Sequence, residues 1–282
     1  MDDFDSRFIL NFTPTGMIPT REMTPHIPIQ PDEIIAEVIE AARLGVNMVH
    51  LHARDPKTGE PTYKKEIYSR IISGIREQNK DLVITASTSG RNFSDFDKRA
   101  EVLDLTGDAK PDMGSLTLSS LNFNKQASIN TPEMIRMLAE KMIQKGIKPE
   151  LEAFDLGMIN YAKYLIRKGL IKPPCYFNLI LGNIACAQAD MLSLGLMVKE
   201  LPEGSPWSAG GIGQWQLRMN AMSLVAGGGV RVGLEDNIYY DRQRTVLALN
   251  KSLIERVVGI AEVLGRKPYT HKETRDLLGL TG

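Results

Sequence analysis

Along the chain, short apolar runs alternate with longer stretches in which apolar positions recur every three or four residues. The first run is Phe8-Ile9-Leu10-Asn11-Phe12, stopped by Thr13-Pro14-Thr15-Gly16 and a loop carrying Pro19, Pro25, Pro28 and Pro31. Over residues 32–44 the spacing of Ile34, Ile35, Val38, Ile39 and Ala42 predicts a helix, with Pro31 where a first turn tolerates it. The same alternation continues to the end. Strands are predicted around His50 and over residues 82–86, 113–118, 148–154, 176–181, 207–212 and 229–234. Helices are predicted over residues 64–78, 94–103, 132–145, 159–168, 190–200, 216–226 and 245–264, followed by a small one over 272–278. Gly146 and Gly169 stand where helices stop.

Eight short strands alternating with eight helices need parallel pairing, and eight such units close into a (β/α)₈ TIM barrel of the α/β class. An open doubly wound sheet is the competitor, but no G-x-G-x-x-G follows the first strand. Composition does not shift anywhere along the chain, so residues 1–282 read as a single barrel with a short C-terminal helical tail.

In that architecture chemistry sits on the loops after the strands. The polar residues there are Asn11, Thr15, His50, His52, Ser87, Thr88, Ser115, Thr117, Glu150, Glu152, Asn178, Glu235 and Asp236. His50 and His52 share one strand face, about 7 Å apart along the chain. Strands eight and two both flank strand one in a closed barrel, so Glu235 or Asp236 can reach a metal held by the histidines. Two imidazoles and a carboxylate, with positions left open, form a catalytic metal set. Zinc fits best, with manganese and iron as alternatives. Glu235 and Asp236 are adjacent and on an extended strand would point opposite ways: one toward metal, the other toward substrate as a base near Arg231. Glu150 and Glu152 share a strand face and suit a salt bridge as well as catalysis. His26 and His271 suit surface or structural roles, Cys186 a buried free thiol, and residues 191–197 a core or oligomer contact.

Composition narrows the function classes. Of 282 residues 34 are basic and 34 acidic, which gives no electrostatic case for nucleic acid or an anionic membrane as partner. The chain lacks a run of eighteen apolar residues and starts on an acidic, not signal-like, stretch. Two cysteines make no disulfide framework, so the cytoplasm is expected.

The motifs Pro14-Thr15-Gly16, His50-Leu51-His52-Ala53-Arg54-Asp55, Pro149-Glu150-Leu151-Glu152, Gly210-Gly211-Ile212-Gly213 and Val230-Arg231-Val232-Gly233-Leu234-Glu235-Asp236-Asn237 occur in this order. With them the chain resembles the β-keto acid cleavage enzymes over nearly its whole length. The resemblance implies a zinc-dependent barrel, usually a homotetramer. Such enzymes convert a 3-oxo acid and acetyl-CoA into acetoacetate and a new acyl-CoA by a retro-Claisen step. It further implies His50, His52 and Glu235 as zinc ligands, Asp236 as the base and Arg231 as its helper. Ser87, Ser115, Thr15 and Glu152 are then the residues that face substrate. Two positions depart from the family. Ile18 stands where aminohexanoate-cleaving members carry an acid for the substrate amine, so the expected substrate lacks a 5-amino group, though Glu22 lies in the same loop. Gln214 stands where relatives often carry arginine, which weakens the case for a CoA phosphate contact there.

Three other readings compete. An amidohydrolase-like zinc hydrolase also carries His-x-His on a barrel strand but needs further histidines on later strands. A lyase acting on a CoA thioester would be indifferent to acetyl-CoA. A binding protein with a purely structural metal would hold it with no exchangeable position.

Overall fold

The computed structural model describes residues 6–280; the acidic first residues, on which the absence of a leader was expected, lie outside them. Eight parallel strands form a closed barrel: β1 (Leu10–Phe12), β2 (Met48–Leu51), β3 (Val83–Ala86), β4 (Met113–Thr117), β5 (Lys148–Ala153), β6 (Tyr176–Leu181), β7 (Trp207–Gly211) and β8 (Gly229–Val232). Helices α1 (Pro31–Arg43), α2 (Lys65–Gln78), α3 (Phe96–Ala100), α4 (Pro132–Lys145), α5 (Leu156–Arg167), α6 (Met191–Lys199), α7 (Gln216–Val225) and α8 (Asn250–Val263) follow them in turn. The predicted (β/α)₈ architecture is the one observed.

Local chemistry sets the ends of these elements. Thr131, Asp155 and Asp190 cap α4, α5 and α6 by accepting from the N–H groups of Met134, Met158 and Ser193. α8 begins five residues later than its apolar spacing predicts. The carboxylate of Asp241 accepts from the amides of Thr245 and Val246, folding that segment into a turn. Residues 7–8 leave the barrel to pair with Lys267–Pro268, which shortens the first barrel strand.

Strands buried on both faces read as nearly continuous apolar runs, and most barrel-strand residues here are buried. The N-terminal end of the barrel is closed by the tail helix α9 (His271–Leu278), whose Leu278 packs with Ile9, Met48, Val83, Met113 and Tyr176. His271 donates there through Nε2 to the Val46 carbonyl, a structural role, one of the two expected of it. The opposite end carries the loops. Among the described residues no helix is long and apolar enough to cross a membrane.

β8, β1 and β2 are consecutive around the barrel, with Arg231 level with Asn11, and Asn11 level with Met48. That adjacency brings the end of the chain's last strand to the histidines of its second.

Candidate active site

His50 lies in β2 and His52 immediately after it. Their Nε2 atoms are 3.2 Å apart, and His52 Nε2 is 3.2 Å from Glu235 Oε1. Ligand atoms of His50, His52 and Glu235 all lie within 4.8 Å of one another. The Nδ1 of His50 is 2.5 Å from Glu150 Oε2, a contact that orients the ring with its Nε2 toward the other two residues. Glu150 in turn accepts from Asn11 Nδ2 and Asn178 Nδ2 deep in the barrel. A second triad of possible donors, His50, Glu150 and Glu152, shares His50 with the first.

Burial opposes charge on both imidazoles. For His50 the carboxylates of Glu150 and Glu235 outweigh it and hold the pKa up at about 9; for His52 burial wins and the pKa falls. Burial opposes charge on Glu235 too, here by raising its pKa, yet His52, Arg231 and His50 together hold its carboxyl well below the usual range. Its Oε2 has no hydrogen-bond partner among the described residues. Converging imidazole nitrogens beside a carboxylate with an unused oxygen form a donor set suited to a divalent cation.

Glu235 and Asp236 do not point opposite ways, as an extended strand would require. β8 ends at Val232, and Gly233, with φ +156°, turns the chain. A Cβ at Gly233 would overlap the Thr13 carbonyl. Both carboxylates therefore meet Arg231, with Nε 2.8 Å from Asp236 Oδ2 and Nη2 2.7 Å from Glu235 Oε1. Burial, with the neighbouring Glu235 charge, raises the pKa of Asp236 despite Arg231. Arg231 Nη1 stands 3.9 Å from Glu152 Oε1 and has no hydrogen-bond partner among the described residues.

The remaining predicted residues spread around the same end of the barrel. Thr117 donates to Glu152, and burial raises the Glu152 carboxyl. Ser87, just past β3, lines a small cleft with His52, Tyr63, Ser89 and Lys98. Ser115 Oγ accepts from Thr88 N, so that lone pair is engaged within the protein. The Thr15 hydroxyl is buried without a partner among the described residues. Ile18 and Gln214 are exposed; Arg218, one turn beyond Gln214, lies over the Trp215 ring. Cys186 is half-buried and free, with burial raising its thiol above the usual range. A surface groove of about 1010 Å³ runs along α1 and α2 and contains none of these residues.

Arg54 and Gly16, both inside the motifs, also shape the site. Arg54 is buried and donates to the carbonyls of Gly16, Pro19 and Gly59, pinning the loop after β1. Gly16 has φ +64°, and a Cβ there would lie 2.5 Å from Glu235 Cγ. The positive φ favours glycine, and the missing side chain leaves room for the Glu235 stem. An arginine three residues past an apolar strand was the available signal for Arg54; nothing local signalled the room that Gly16 leaves for Glu235.

Comparisons with known proteins identify the family. A family model described as beta-keto acid cleavage enzyme matches residues 7–280. The chain is 37% identical to a 3-keto-5-aminohexanoate cleavage enzyme of Fusobacterium nucleatum, covering 97% of this chain and 98% of the relative. It is 34% identical to a 3-oxoadipate:acetyl-CoA acetyltransferase of Cupriavidus necator, covering 96% and 94%. The apo structure of ObcA superposes with a TM-score of 0.80 at 21% identity. That likeness covers 90% of this chain and 66% of ObcA, so the chain spans just under two thirds of that protein's length.

Proposed function

The chain belongs to the beta-keto acid cleavage enzyme family, and from that membership we propose that it exchanges acyl groups between a 3-oxo acid and acetyl-CoA, yielding acetoacetate and a new acyl-CoA. The observation that carries this reading is the convergence of His50, His52 and Glu235 beside the Arg231–Asp236 pair. His50, His52 and Glu235 would hold a divalent cation, which we take to be zinc. Bound there, the cation supplies Lewis-acid polarisation of the substrate's oxygens.

The protein's own groups account for the proton traffic. Asp236 takes a proton from C2 of the 3-oxo acid, and Arg231 keeps the Asp236 carboxylate oriented. C2 attacks the acetyl carbonyl, expelling the CoA thiolate. The thiolate then adds to the original 3-oxo carbonyl, the C2–C3 bond breaks, and Asp236 returns its proton to C2 of acetoacetate. Ser87, Ser115, Thr15 and Glu152 face the substrate in this scheme, Ser87 through its place in the cleft beside His52.

Ile18 supports a substrate without a 5-amino group, because an exposed aliphatic side chain offers an ammonium no partner. Exposed Ile184, Met191, Leu192 and Leu196 support assembly, which we take to be a homotetramer. The free cysteines and the use of acetyl-CoA fit the cytoplasm.

The test is an assay of zinc-loaded protein against a panel of 3-oxo acids, each with and without acetyl-labelled acetyl-CoA. Acetoacetate carrying the label, lost in His50→Ala, is the expected result. Turnover indifferent to acetyl-CoA would move the enzyme to the lyases. Hydrolysis of an amide or ester in place of acyl exchange would support the amidohydrolase alternative. Rapid turnover of 3-keto-5-aminohexanoate would overturn the substrate assignment made from Ile18.

A further inference from the structure

Most of the arginines around the barrel mouth are already spoken for. Arg231 is held by Asp236 and Glu235. Arg54 is held by three carbonyls. Arg99 donates to the carbonyls of Thr88 and Ile129 and to Asn130 Oδ1. Arg91 differs. It sits four residues after Ser87 in the loop following β3, half-buried, with its backbone amide donating to Ser89 Oγ. Its guanidinium lies 3.5 Å from the centre of the Phe123 ring. Phe123 packs edge-on against Phe154, the residue that follows β5. The side chain is therefore anchored on the loops after β4 and β5, at the end of the barrel that carries the site.

Among the described residues the Arg91 guanidinium forms no hydrogen bond and no ion pair; its contact is the aromatic face. Burial lowers its pKa, and the carboxylates of Glu235, Asp236 and Glu152 partly offset that cost. Those three acids are committed elsewhere, to His52, Arg231 and Thr117. A guanidinium stacked by its face keeps its edge N–H groups free, and that edge matches a carboxylate in two parallel hydrogen bonds. Partial desolvation strengthens such a pair relative to one in open water.

We propose that Arg91 is a specificity-determining anchor for a carboxylate of the 3-oxo acid. This rests on the acyl-exchange reading above. The carboxylate is either the C1 group common to all 3-oxo acids or a second one at the far end of a diacid.

The test compares Arg91→Ala and Arg91→Lys with the unaltered zinc-loaded protein. Calorimetric titration gives affinities for acetoacetate and for 3-oxoadipate, and kinetics gives the KM for acetyl-CoA. Arg91→Ala is expected to weaken one or both acids about tenfold or more, leaving the acetyl-CoA KM within about twofold. Arg91→Lys, which keeps the charge but loses the planar fork, recovers part of the loss. Weakening of both acids assigns the C1 carboxylate; weakening of 3-oxoadipate alone assigns the second. Affinities that ignore the substitution, an equal loss toward acetyl-CoA, or no binding of either acid to the unaltered protein would each overturn the proposal. Acid binding that depends on Arg91 without acyl exchange would leave the anchor standing and remove the proposed reaction. Acyl exchange indifferent to Arg91 would do the reverse.

Discussion

Asp236 and Glu235 are neighbours in sequence and share Arg231, yet their surroundings divide the work between them. Glu235 faces His52 and is held ionised, whereas burial pushes Asp236 the other way. Asp236→Asn keeps the shape and one of the two hydrogen bonds from Arg231 but removes the proton acceptor. It is expected to lower kcat by about 10²- to 10⁴-fold while the zinc content, read by atomic absorption, stays that of the unaltered protein. Parallel loss of zinc would place Asp236 among the ligands instead. Gly16 makes a different kind of contribution. Alanine there combines a positive φ with a Cβ 2.5 Å from Glu235 Cγ, and should cost about 1–3 kcal/mol in a denaturation midpoint. A midpoint equal to that of the unaltered protein would mean the loop yields freely. The histidine pair was legible in the sequence because strand alternation alone sets it. The partner of His50, Glu150, lies 100 residues away, and only barrel register brings the two to 2.5 Å. The shared hold on Arg231 escaped for a related reason: the turn at Gly233 cannot be read from a run that looks like strand to Leu234.

The alternation of apolar runs and helical spacing located every barrel strand and every helix around it. Boundaries failed where side chains rather than periodicity set the ends. Asp241 claims the amides of the predicted first turn of α8, and the freed start at Asn250 places that residue to donate to the Pro14 carbonyl and accept from Leu234 N. The helix start thus ties the loop after β1 to the turn that carries Glu235. The tail helix was legible as a helix but not as a plug, since its partners come from four different strands of the barrel floor. Leu278 is 1% exposed within that cluster. Leu278→Ala is expected to cost about 2–5 kcal/mol and to lower the thermal midpoint, with KM values unchanged because the site lies at the other end. A shift in KM without loss of stability would contradict the separation of the two ends.

That separation has a consequence for the whole molecule. The apolar core that closes the barrel runs between the sheet and its helices, from Phe12 and Val49 to Ile254 and Val257. The proposed metal ligands project from the strand ends beyond it, on β2 and the turn after β8. A small zinc domain loses its fold with its metal because it has little else to fold around; this chain buries an extensive core without it. Removal of zinc by a chelator should therefore abolish acyl exchange while leaving the far-ultraviolet circular dichroism unchanged. The thermal midpoint should still rise with added zinc, because a ligand bound only by the folded state stabilises it by RT ln(1 + [L]/Kd), about 2.7 kcal/mol at a hundredfold excess over Kd. His50→Ala should lose that concentration dependence, which ties the effect to this site and not to surface carboxylates. Restoring zinc, or manganese and iron in separate arms, should return activity in the order of their fit to two imidazoles and a carboxylate. Acyl exchange that survives exhaustive chelation would remove the metal from the mechanism and leave proton transfer by Asp236 to carry the reaction alone.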